Sequence, residues 1–287
     1  MIDVRSARAG TIALSALAVG GYAFALTLLV VGFTNGQWPF PGGDVVDYYA
    51  RSGDALRSGG AVYGGSPGFF YGPPWAVAFA GLSWLGPGAI HAVILALDGV
   101  ALWVLAGRDW RRLGWVLWFP LIPFELAAGQ LNLIVAAAIV AAQRGTTWPL
   151  AAMSLAKVWP IFALPPRYWR GFIVAATVFA LVSLPWLALW PAWIGTLLSR
   201  LPHPLGPVVP VPFVVRAIAA VGLVALQRPW TRALAAIIAS PDLYWGQLVV
   251  LVAPLSLWLR RNEFAAVSKR TSDASTVPTT HGELATD

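Results

Sequence analysis

The chain lacks cysteine and has only three histidines in 287 residues. Disulfides and thiolate-bound zinc or iron–sulfur clusters are therefore excluded. The histidines, His91, His203 and His281, stand alone, without the spacing that places two ligands on one metal ion. A Walker-type phosphate loop, a Rossmann fingerprint and a D-x-D pair are also missing from the sequence. We expect no cofactor and no soluble nucleotide-sugar-binding domain, and we assign no metal site.

Charge is scarce as well. Charged residues make up 11% of the chain and hydrophobic residues 58%, whereas about 25% of the residues in an ordinary soluble domain are charged. Between Trp75 and Gly107 the only full charge is Asp98, and none lies between Phe172 and Leu198. Apolar runs of about 20 residues are long enough to cross a bilayer as helices. The composition predicts a multi-pass protein of the plasma membrane.

The apolar runs, divided at glycine, proline and charge clusters, predict an all-α bundle of about ten membrane segments. Their limits are 10–33, 74–86, 88–107, 113–127, 130–143, 147–165, 171–192, 208–226, 231–240 and 243–259. Several are too short to span upright, so we expect half-length or re-entrant helices that line a cavity. The first run is too long for a signal peptide and is expected to be a retained helix. One domain, 1–263, is followed by a tail, 264–287, that we expect to be disordered and cytoplasmic.

Arginines in the short connections predict the orientation of the bundle. Arg5 and Arg8 place the N-terminus in the cytoplasm, because positive charge is enriched on that side. The same count of segments puts Arg108, Arg111 and Arg112 outside, against this bias. Either the neighbouring segments are miscounted, or the cluster is a site for anionic lipid headgroups. Arginines in such loops contact membrane lipids, so nucleic acid is not an expected partner.

The longest hydrophilic stretch between segments, 34–73, is an outer loop in this topology. Its central part, DVVDYYARSGDALRS from Asp44 onward, predicts a helix at the membrane interface. The residues near helical spacing in it are Val45, Tyr48, Tyr49 and Leu56. Asp44 is a candidate N-cap of this helix. Together with Asp47 and Asp54 it would by default form a solvated acidic face.

Three ionisable residues stand out within the apolar segments, where a charge at the bilayer centre costs at least about 2.5 kcal/mol. They are Asp98, Glu125 and Lys157. We expect Asp98 to have a helix-packing role. Lys157 can bind a phosphate beside a cavity or form a structural pair with Glu125. The nearby amides of Gln130 and Asn132 can hydrogen-bond across helices.

Five short motifs follow one another along the loops and segments. They are Asp44-x-x-x-Tyr48, SGGAVY (58–63), FFYGPPWA (69–76), GQLNLI (129–134) and LAKVWP (155–160). Their order and spacing resemble the polyprenol-phosphate-sugar-dependent glycosyltransferases of the GT-C superfamily, specifically glycosyltransferase family 87, which includes bacterial α-mannosyltransferases. The resemblance covers about two thirds of the chain, from Val4 to Pro185.

The resemblance implies transfer of a hexose, with mannose expected, from a polyprenyl monophosphate to a glycolipid or glycan acceptor on the outer face. Asp44 matches the first-loop acid and would be the general base on the acceptor hydroxyl, whose attack expels the polyprenyl phosphate with inversion. The substrate-binding candidates are Asp47, Tyr48, Tyr71, Glu125, Gln130, Asn132, Lys157 and Gln247. The cations proposed for the donor phosphate are Lys157, which lies in a family motif, and Arg108, Arg111 and Arg112, which are inferred from the orientation anomaly alone.

The C-terminal part departs from the family pattern, and other hypotheses stay open. The family often has Ser-Pro followed by Trp and His, whereas this chain reads SPDLYWGQ (240–247), with Gln247 about where the histidine falls. No histidine role is carried over. A transporter or lipid flippase would also use broken helices and intramembrane charges, but it predicts inverted repeats that the sequence does not show. A catalytically inactive short member, or a membrane scaffold, is the third hypothesis.

Overall fold

The computed structural model describes residues 43–64, 68–200, 211–241 and 243–260, with a few isolated positions between 19 and 30. Within these ranges the regular structure is entirely helical, which confirms the predicted all-α class. The α-helices are α1 (Arg51–Arg57), α2 (Pro73–Ser83), α3 (Pro87–Leu105), α4 (Trp110–Leu117), α5 (Ile122–Ala128), α6 (Asn132–Gln143), α7 (Trp148–Ala156), α8 (Trp169–Leu181), α9 (Leu189–Arg200), α10 (Phe213–Ala225), α11 (Pro229–Ile238) and α12 (Val252–Leu259). The predicted first segment lies outside the described ranges apart from those isolated positions, and the predicted tail lies outside them entirely.

Proline sets many of the helix boundaries. It stands in the first turn of α2, α3, α7 and α11, where its fixed φ suits a helix and its missing N–H costs nothing. Short turns of other helical type extend or connect the α-helices. A π-helical turn, Val45–Ala50, leads into α1, and 3₁₀ turns occupy Trp159–Ala163, Pro166–Tyr168, Leu184–Trp186 and Trp245–Leu251.

Several of the predicted segments are divided in the structure, and two of them illustrate the effect of proline. The segment predicted at 113–127 consists of α4 and α5, and Pro120 lies in the connection between them. The segment predicted at 171–192 covers α8, a 3₁₀ turn that contains Pro185, and the beginning of α9. A proline inside a helical run removes a backbone donor and clashes with the preceding turn. Each of these predicted segments therefore contains more than one helical piece.

The number of membrane spans is not confirmed. Among the described residues, α3 alone is long and apolar enough to cross a bilayer by itself. The pair α5 and α6 passes the same test together, but it is bent by 116° at the connection 129–131. The all-helical class is established for the described residues, and the number of about ten spans stays a prediction.

The helix predicted in the loop around 44–58 is present, but the N-cap prediction for Asp44 was wrong. The backbone of Asp44 is already helical, with φ −64° and ψ −33°, and its carboxylate makes no capping hydrogen bond. Tyr49 anchors this helix, because its ring stacks on Phe79 of α2 with centroids 4.4 Å apart. The Tyr49 hydroxyl also lies 3.0 Å from the Tyr71 hydroxyl. The loop helix is thus fixed on α2, and Asp44 is held at its beginning.

The ends of the helices come together in two places, and the first of these is named here the Gly129 end. His91, in the second turn of α3, places its Nε2 2.9 Å from the carbonyl oxygen of Leu126 in α5. Gly129 has a left-handed backbone, with φ 67°, and is closely covered by Val45 and His91, so a side chain at this position would be strained and would clash. The beginnings of α3 and α6 and the beginning of the loop helix therefore meet here.

The opposite end is named the Arg260 end. Ser256 Oγ of α12 donates to the Leu105 carbonyl at 2.6 Å, and Arg260 Nη1 donates to the Val104 carbonyl at 3.4 Å. The last turn of α3 and the last turn of α12 therefore lie side by side. Since Arg108 follows α3 by three residues, it lies at this end together with Arg260.

Helices α6 and α7 connect the same two ends. α6 runs away from the Gly129 end and α7 returns to it, since Lys157 Nζ donates to Asn132 Oδ1 at 2.6 Å. At the far turn, Gly145 lies against the ring of Tyr168. The arginines at or near the Arg260 end are Arg108, Arg144, Arg167, Arg170, Arg228, Arg232 and Arg260, of which Arg170 and Arg232 lie in the first turns of α8 and α11. Of the two alternatives for the Arg108 cluster, this arrangement favours a miscount of the neighbouring segments.

Helix α2 explains the miscount. Its beginning lies at the Gly129 end, because the Gly72 N–H donates to the Leu155 carbonyl at 2.9 Å, two residues before Lys157. Its last residues pack on α1, where Phe79 and Ser83 lie against Gly53. A short connection, 84–86, then leads into α3 at the same end. Helix α2 does not run to the Arg260 end, so counting it as a crossing reversed the side assigned to Arg108.

Asp98 of α3 lies in the packed interior and gives a stability prediction. The residue has no exposed surface, and neither carboxylate oxygen has a hydrogen-bond partner among the described residues. A buried polar group without a partner costs about 1–3 kcal/mol. We expect Asp98→Leu to raise the free energy of unfolding by about this amount, measured as a higher midpoint in thermal unfolding in detergent.

The matched control for Asp98 is Asp54→Leu in α1. Asp54 is exposed and lies 3.8 Å from Arg57, so its replacement should change the stability by less than about 0.5 kcal/mol. A clear loss of stability in Asp98→Leu would contradict the prediction and would show that Asp98 has a stabilising partner.

Candidate functional site

A cavity of about 580 Å³ opens at the Gly129 end. Its polar side is lined by Asp44, Tyr48, Tyr71, Gln130, Lys157, Ser240, Tyr244 and Gln247. Its apolar side is formed mainly by Val158, Trp159, Phe162, Trp193, Leu197, Leu198 and Phe213. Leu198 is 60% exposed and Val158 52% exposed, so the apolar side opens to the surroundings of the protein. The cavity can therefore hold a molecule with one polar and one long apolar part.

Asp44 lies at the polar side, and its surroundings change its acidity. Burial raises the pKa of the Asp44 carboxyl from its ordinary 3.8 to about 6. The positive charge of Lys157 and a hydrogen bond from Gln130 lower this pKa, and the charge of Asp47 raises it. A carboxylate with a raised pKa is a stronger base than an exposed one, yet it remains largely ionised at neutral pH. Asp44 is thus suited to accept a proton.

The same pKa gives a prediction for stability. Because the pKa of Asp44 is higher in the folded chain than its ordinary value, this group does not lower the stability below about pH 4. The free energy of unfolding falls as the pH rises from about 4 through about 6. Asp44→Asn removes this loss. At pH 7.5 we expect the free energy of unfolding of the variant to exceed that of the wild type by up to about 3 kcal/mol. The variant should therefore unfold at a higher temperature.

The difference between Asp44→Asn and the wild type should shrink as the pH falls from 7 to 4. Thermal unfolding of both proteins across this range measures it. Equal unfolding midpoints at pH 7.5 would show that burial of the Asp44 charge does not cost stability.

Lys157 follows α7 and projects its ammonium group into the polar side. Its Nζ lies 5.6 Å from the centre of the Tyr71 ring and 5.9 Å from the centre of the Tyr244 ring. Two aromatic faces and the carbonyl oxygen of the Asn132 side chain therefore surround a cation. An ammonium group held in this way can bind an anion that enters the cavity.

The structure places the predicted site residues in three different positions. Asp44, Tyr48, Tyr71, Gln130, Lys157 and Gln247 line the cavity together. Glu125 and Asn132 have no exposed surface and lie one layer behind the wall. Among the remaining candidates, Asp47 does not line the cavity, and Arg108, Arg111 and Arg112 lie at or near the opposite end of the helices.

The predicted Lys–Glu pair takes a different form in the structure. Asn132 stands between the two side chains, because its Nδ2 donates to Glu125 Oε2 at 3.2 Å while its Oδ1 accepts from Lys157. The Arg108 cluster has its own local contacts instead: Asp109 accepts from the backbone N–H of Arg111 at 2.9 Å and lies 3.3 Å from Arg112. The structure therefore assigns only Lys157, of the proposed cations, to the cavity.

Two further residues of the site were missed in the sequence. Tyr244 lines the cavity and covers Lys157. Arg216 of α10 is buried, and its guanidinium donates to the carbonyls of Ser240 and Pro241, which form the same wall. Arg216 is the one charged residue in the predicted segment 208–226. A charge inside an apolar run is the signal that could have identified it.

The site unites a basic carboxylate, a caged ammonium group and an open apolar surface in one cavity. Such an arrangement can bind a lipid-borne anion while it deprotonates a hydroxyl group. Comparison of the chain with protein-family models, with curated proteins and with solved structures found no match.

Proposed function

We propose that this protein is a membrane glycosyltransferase that moves a hexose, with mannose the expected sugar, from a polyprenyl-phosphate donor to a glycolipid or glycan hydroxyl. The observation that carries the proposal is the shared cavity of Asp44 and Lys157. One group can take the proton of the attacking hydroxyl, and the other can hold the phosphate that leaves.

The proposed reaction is a single displacement. The acceptor oxygen forms a bond to the anomeric carbon while its proton passes to Asp44. The bond from this carbon to the phosphate oxygen breaks, and the electron pair leaves with the polyprenyl phosphate. Negative charge therefore develops on the phosphate, where the ammonium group of Lys157 stabilises it more strongly in the transition state than in the ground state.

The apolar side of the cavity suits the polyprenyl chain. Trp193, Leu197 and Leu198 project from α9, and Phe213 from the beginning of α10, to form one continuous apolar surface. Trp193 is fixed by a hydrogen bond from its Nε1 to the Phe70 carbonyl at 2.9 Å. An isoprenoid chain placed here would reach the surroundings through the exposed Leu198. The donor headgroup would then lie between Lys157 and Asp44.

The membrane setting is part of the proposal. α8 exposes Ile173, Val174 and Val178, and α10 exposes Val214, Ile218 and Val221. Such contiguous apolar surface is unusual on a protein that faces water alone. Under the positive-inside rule the arginines gathered at the Arg260 end would lie in the cytoplasm. The cavity would then open at the outer face.

A specific observation favours a transferase over a transporter. Behind the polar wall, α6 continues as packed core, with Leu133, Val135, Ala136, Ile139 and Val140 fully buried. A transporter of a polar substrate needs a second route from the cavity toward the other face. The fully buried residues of α6 argue against such a route along this helix.

The proposal is tested by a transfer assay in nanodiscs. Polyprenyl-phosphate mannose and polyprenyl-phosphate glucose are supplied in parallel with an envelope glycolipid fraction, and the release of free polyprenyl phosphate is measured by mass spectrometry. We expect release with the mannose donor, dependent on the acceptor fraction. Absence of release with both donors and with the full acceptor fraction would overturn the proposed function.

A further inference from the structure

Behind the cavity wall lies a set of polar side chains that hold the groups in the wall. Glu125 is completely buried in the middle of α5. Its Oε1 accepts hydrogen bonds from the backbone N–H groups of Asn132 at 2.5 Å and Leu133 at 3.3 Å. These N–H groups begin α6 and have no partner within that helix. Glu125 is thereby fixed at the beginning of α6, where a negative charge is favoured.

These contacts leave the Asn132 amide one favourable orientation. Its Nδ2 faces three acceptors, namely Glu125 Oε2 at 3.2 Å, Gln130 Oε1 at 2.8 Å and the Gly246 carbonyl at 3.3 Å. Its Oδ1 faces the other way and accepts from Lys157 Nζ. A reversed amide would set an oxygen against three acceptors and an NH₂ group against an ammonium group.

The orientation of the Asn132 amide also determines that of the Gln130 amide. Because Gln130 Oε1 accepts from Asn132, its Nε2 faces Asp44 and donates to that carboxylate. Asn132 therefore serves both ionisable groups of the cavity, Lys157 directly and Asp44 through Gln130. Gly246 leaves the space for this contact, since a side chain there would collide with Gln130.

We propose that Glu125 is a positioning residue that fixes, through Asn132, both Lys157 and Asp44 in their working orientations. The roles of these two groups rest on the proposed function, whereas the hydrogen bonds do not. Glu125 has no surface in the cavity, so it acts without contact with the substrate. The consequence is that one buried carboxylate controls anion binding and proton transfer together.

Glu125→Gln tests the proposal with almost no change in volume. The introduced glutamine keeps its oxygen on the N–H groups that begin α6, so its NH₂ group faces Asn132 and forces that amide to turn over. Asn132 then presents NH₂ to Lys157, and Gln130 turns its oxygen toward Asp44. We expect the Kd for farnesyl monophosphate, a short polyprenyl phosphate, to rise about 10- to 100-fold.

A second readout needs no ligand. The carboxyl band of Asp44 in infrared spectra, identified by its absence in Asp44→Asn, should disappear at a higher pH in Glu125→Gln than in the wild type. A merely structural role for Glu125 would lower the folded fraction without moving this titration. Circular dichroism and thermal unfolding give the folded fraction of each variant.

The double variant E125Q/N132D separates the effect of Asn132 on Lys157 from its effect on Asp44. The aspartate that replaces Asn132 can accept from the introduced glutamine and from Lys157 at once, so farnesyl phosphate binding should return to within about threefold of the wild type. The new carboxylate cannot donate a hydrogen bond to Gln130, so the Asp44 carboxyl band should still disappear at a higher pH than in the wild type. This split between binding and titration is the expected result.

The outcomes decide the two proposals separately. Unchanged binding and an unchanged Asp44 titration in folded Glu125→Gln would overturn the positioning role and leave the proposed function intact. A wild type that transfers no sugar, but whose Asp44 titration depends on Glu125 as described, would overturn the proposed function and support the positioning role.

Discussion

Asp44→Asn is expected to lower the rate of sugar transfer by about 10²- to 10⁴-fold, the usual contribution of a positioned general base. Asparagine has nearly the same shape and still forms hydrogen bonds, but it cannot take a proton from the acceptor hydroxyl. The polyprenyl phosphate should bind about as well as to the wild type, because Lys157 is unchanged. The variant thus loses turnover and keeps its donor affinity, measured as kcat and as the Kd for farnesyl phosphate.

The pH dependence gives the same group a second signature. Since burial raises the pKa of Asp44 to about 6, transfer by the wild type should rise with pH through 6 and level off above 7. The residual activity of Asp44→Asn should lack this rise.

The control for Asp44 is Asp54→Asn in α1, which removes an exposed acid of the same loop. Its rate and its pH profile should match those of the wild type. Full activity in Asp44→Asn would end the assignment of Asp44 as the base.

Lys157→Met is expected to lower kcat/KM by about 10²- to 10³-fold, the usual effect of removing one group that stabilises developing charge. Methionine keeps the length and the apolar stem of lysine but removes the ammonium group between Tyr71 and Tyr244. Part of the loss should appear as weaker binding of farnesyl phosphate. Lys157→Arg should restore little of the lost kcat/KM, because the planar guanidinium does not match the geometry of a site that surrounds a compact ammonium group.

The sequence supplies a matched control for Lys157. Lys269 is the other lysine of the chain, so Lys269→Met makes the same chemical change elsewhere. Its transfer rate should equal that of the wild type. If Lys157→Met binds farnesyl phosphate as tightly as the wild type does, the phosphate is held by other cations, and the arginines near Trp110 become the first alternative.

The sequence was a good guide to the chemistry of the cavity. Asp44, Lys157 and Gln130 line one cavity. Lys157 was noticed as an ionisable residue in an apolar segment, whereas Asp44 was selected through the family resemblance. The loop helix also followed from its spacing of apolar residues. Its function as a carrier of Asp44, rather than as a helix capped by Asp44, required the backbone geometry.

The arrangement of the helices was harder to predict, for reasons that lie in tertiary contacts. Helix α2 is as apolar as its neighbours, and only its packing on α1 shows that it stays at the Gly129 end. The hydrogen bonds that connect Glu125 to Lys157 through Asn132 likewise depend on the 116° bend between α5 and α6. This bend brings Glu125 back to the beginning of α6. Apolar periodicity contains no information on either feature.

The most direct test of the central claim locates the bound donor. A farnesyl phosphate analogue with a photoreactive group in its isoprenoid part is crosslinked to the protein in nanodiscs, and the labelled peptides are mapped by mass spectrometry. Labelling of α9 or the beginning of α10, competed by polyprenyl phosphate and lost in Lys157→Met, is the predicted result. Labelling centred on α4 and the arginines around Trp110, unaffected by Lys157→Met, would contradict it.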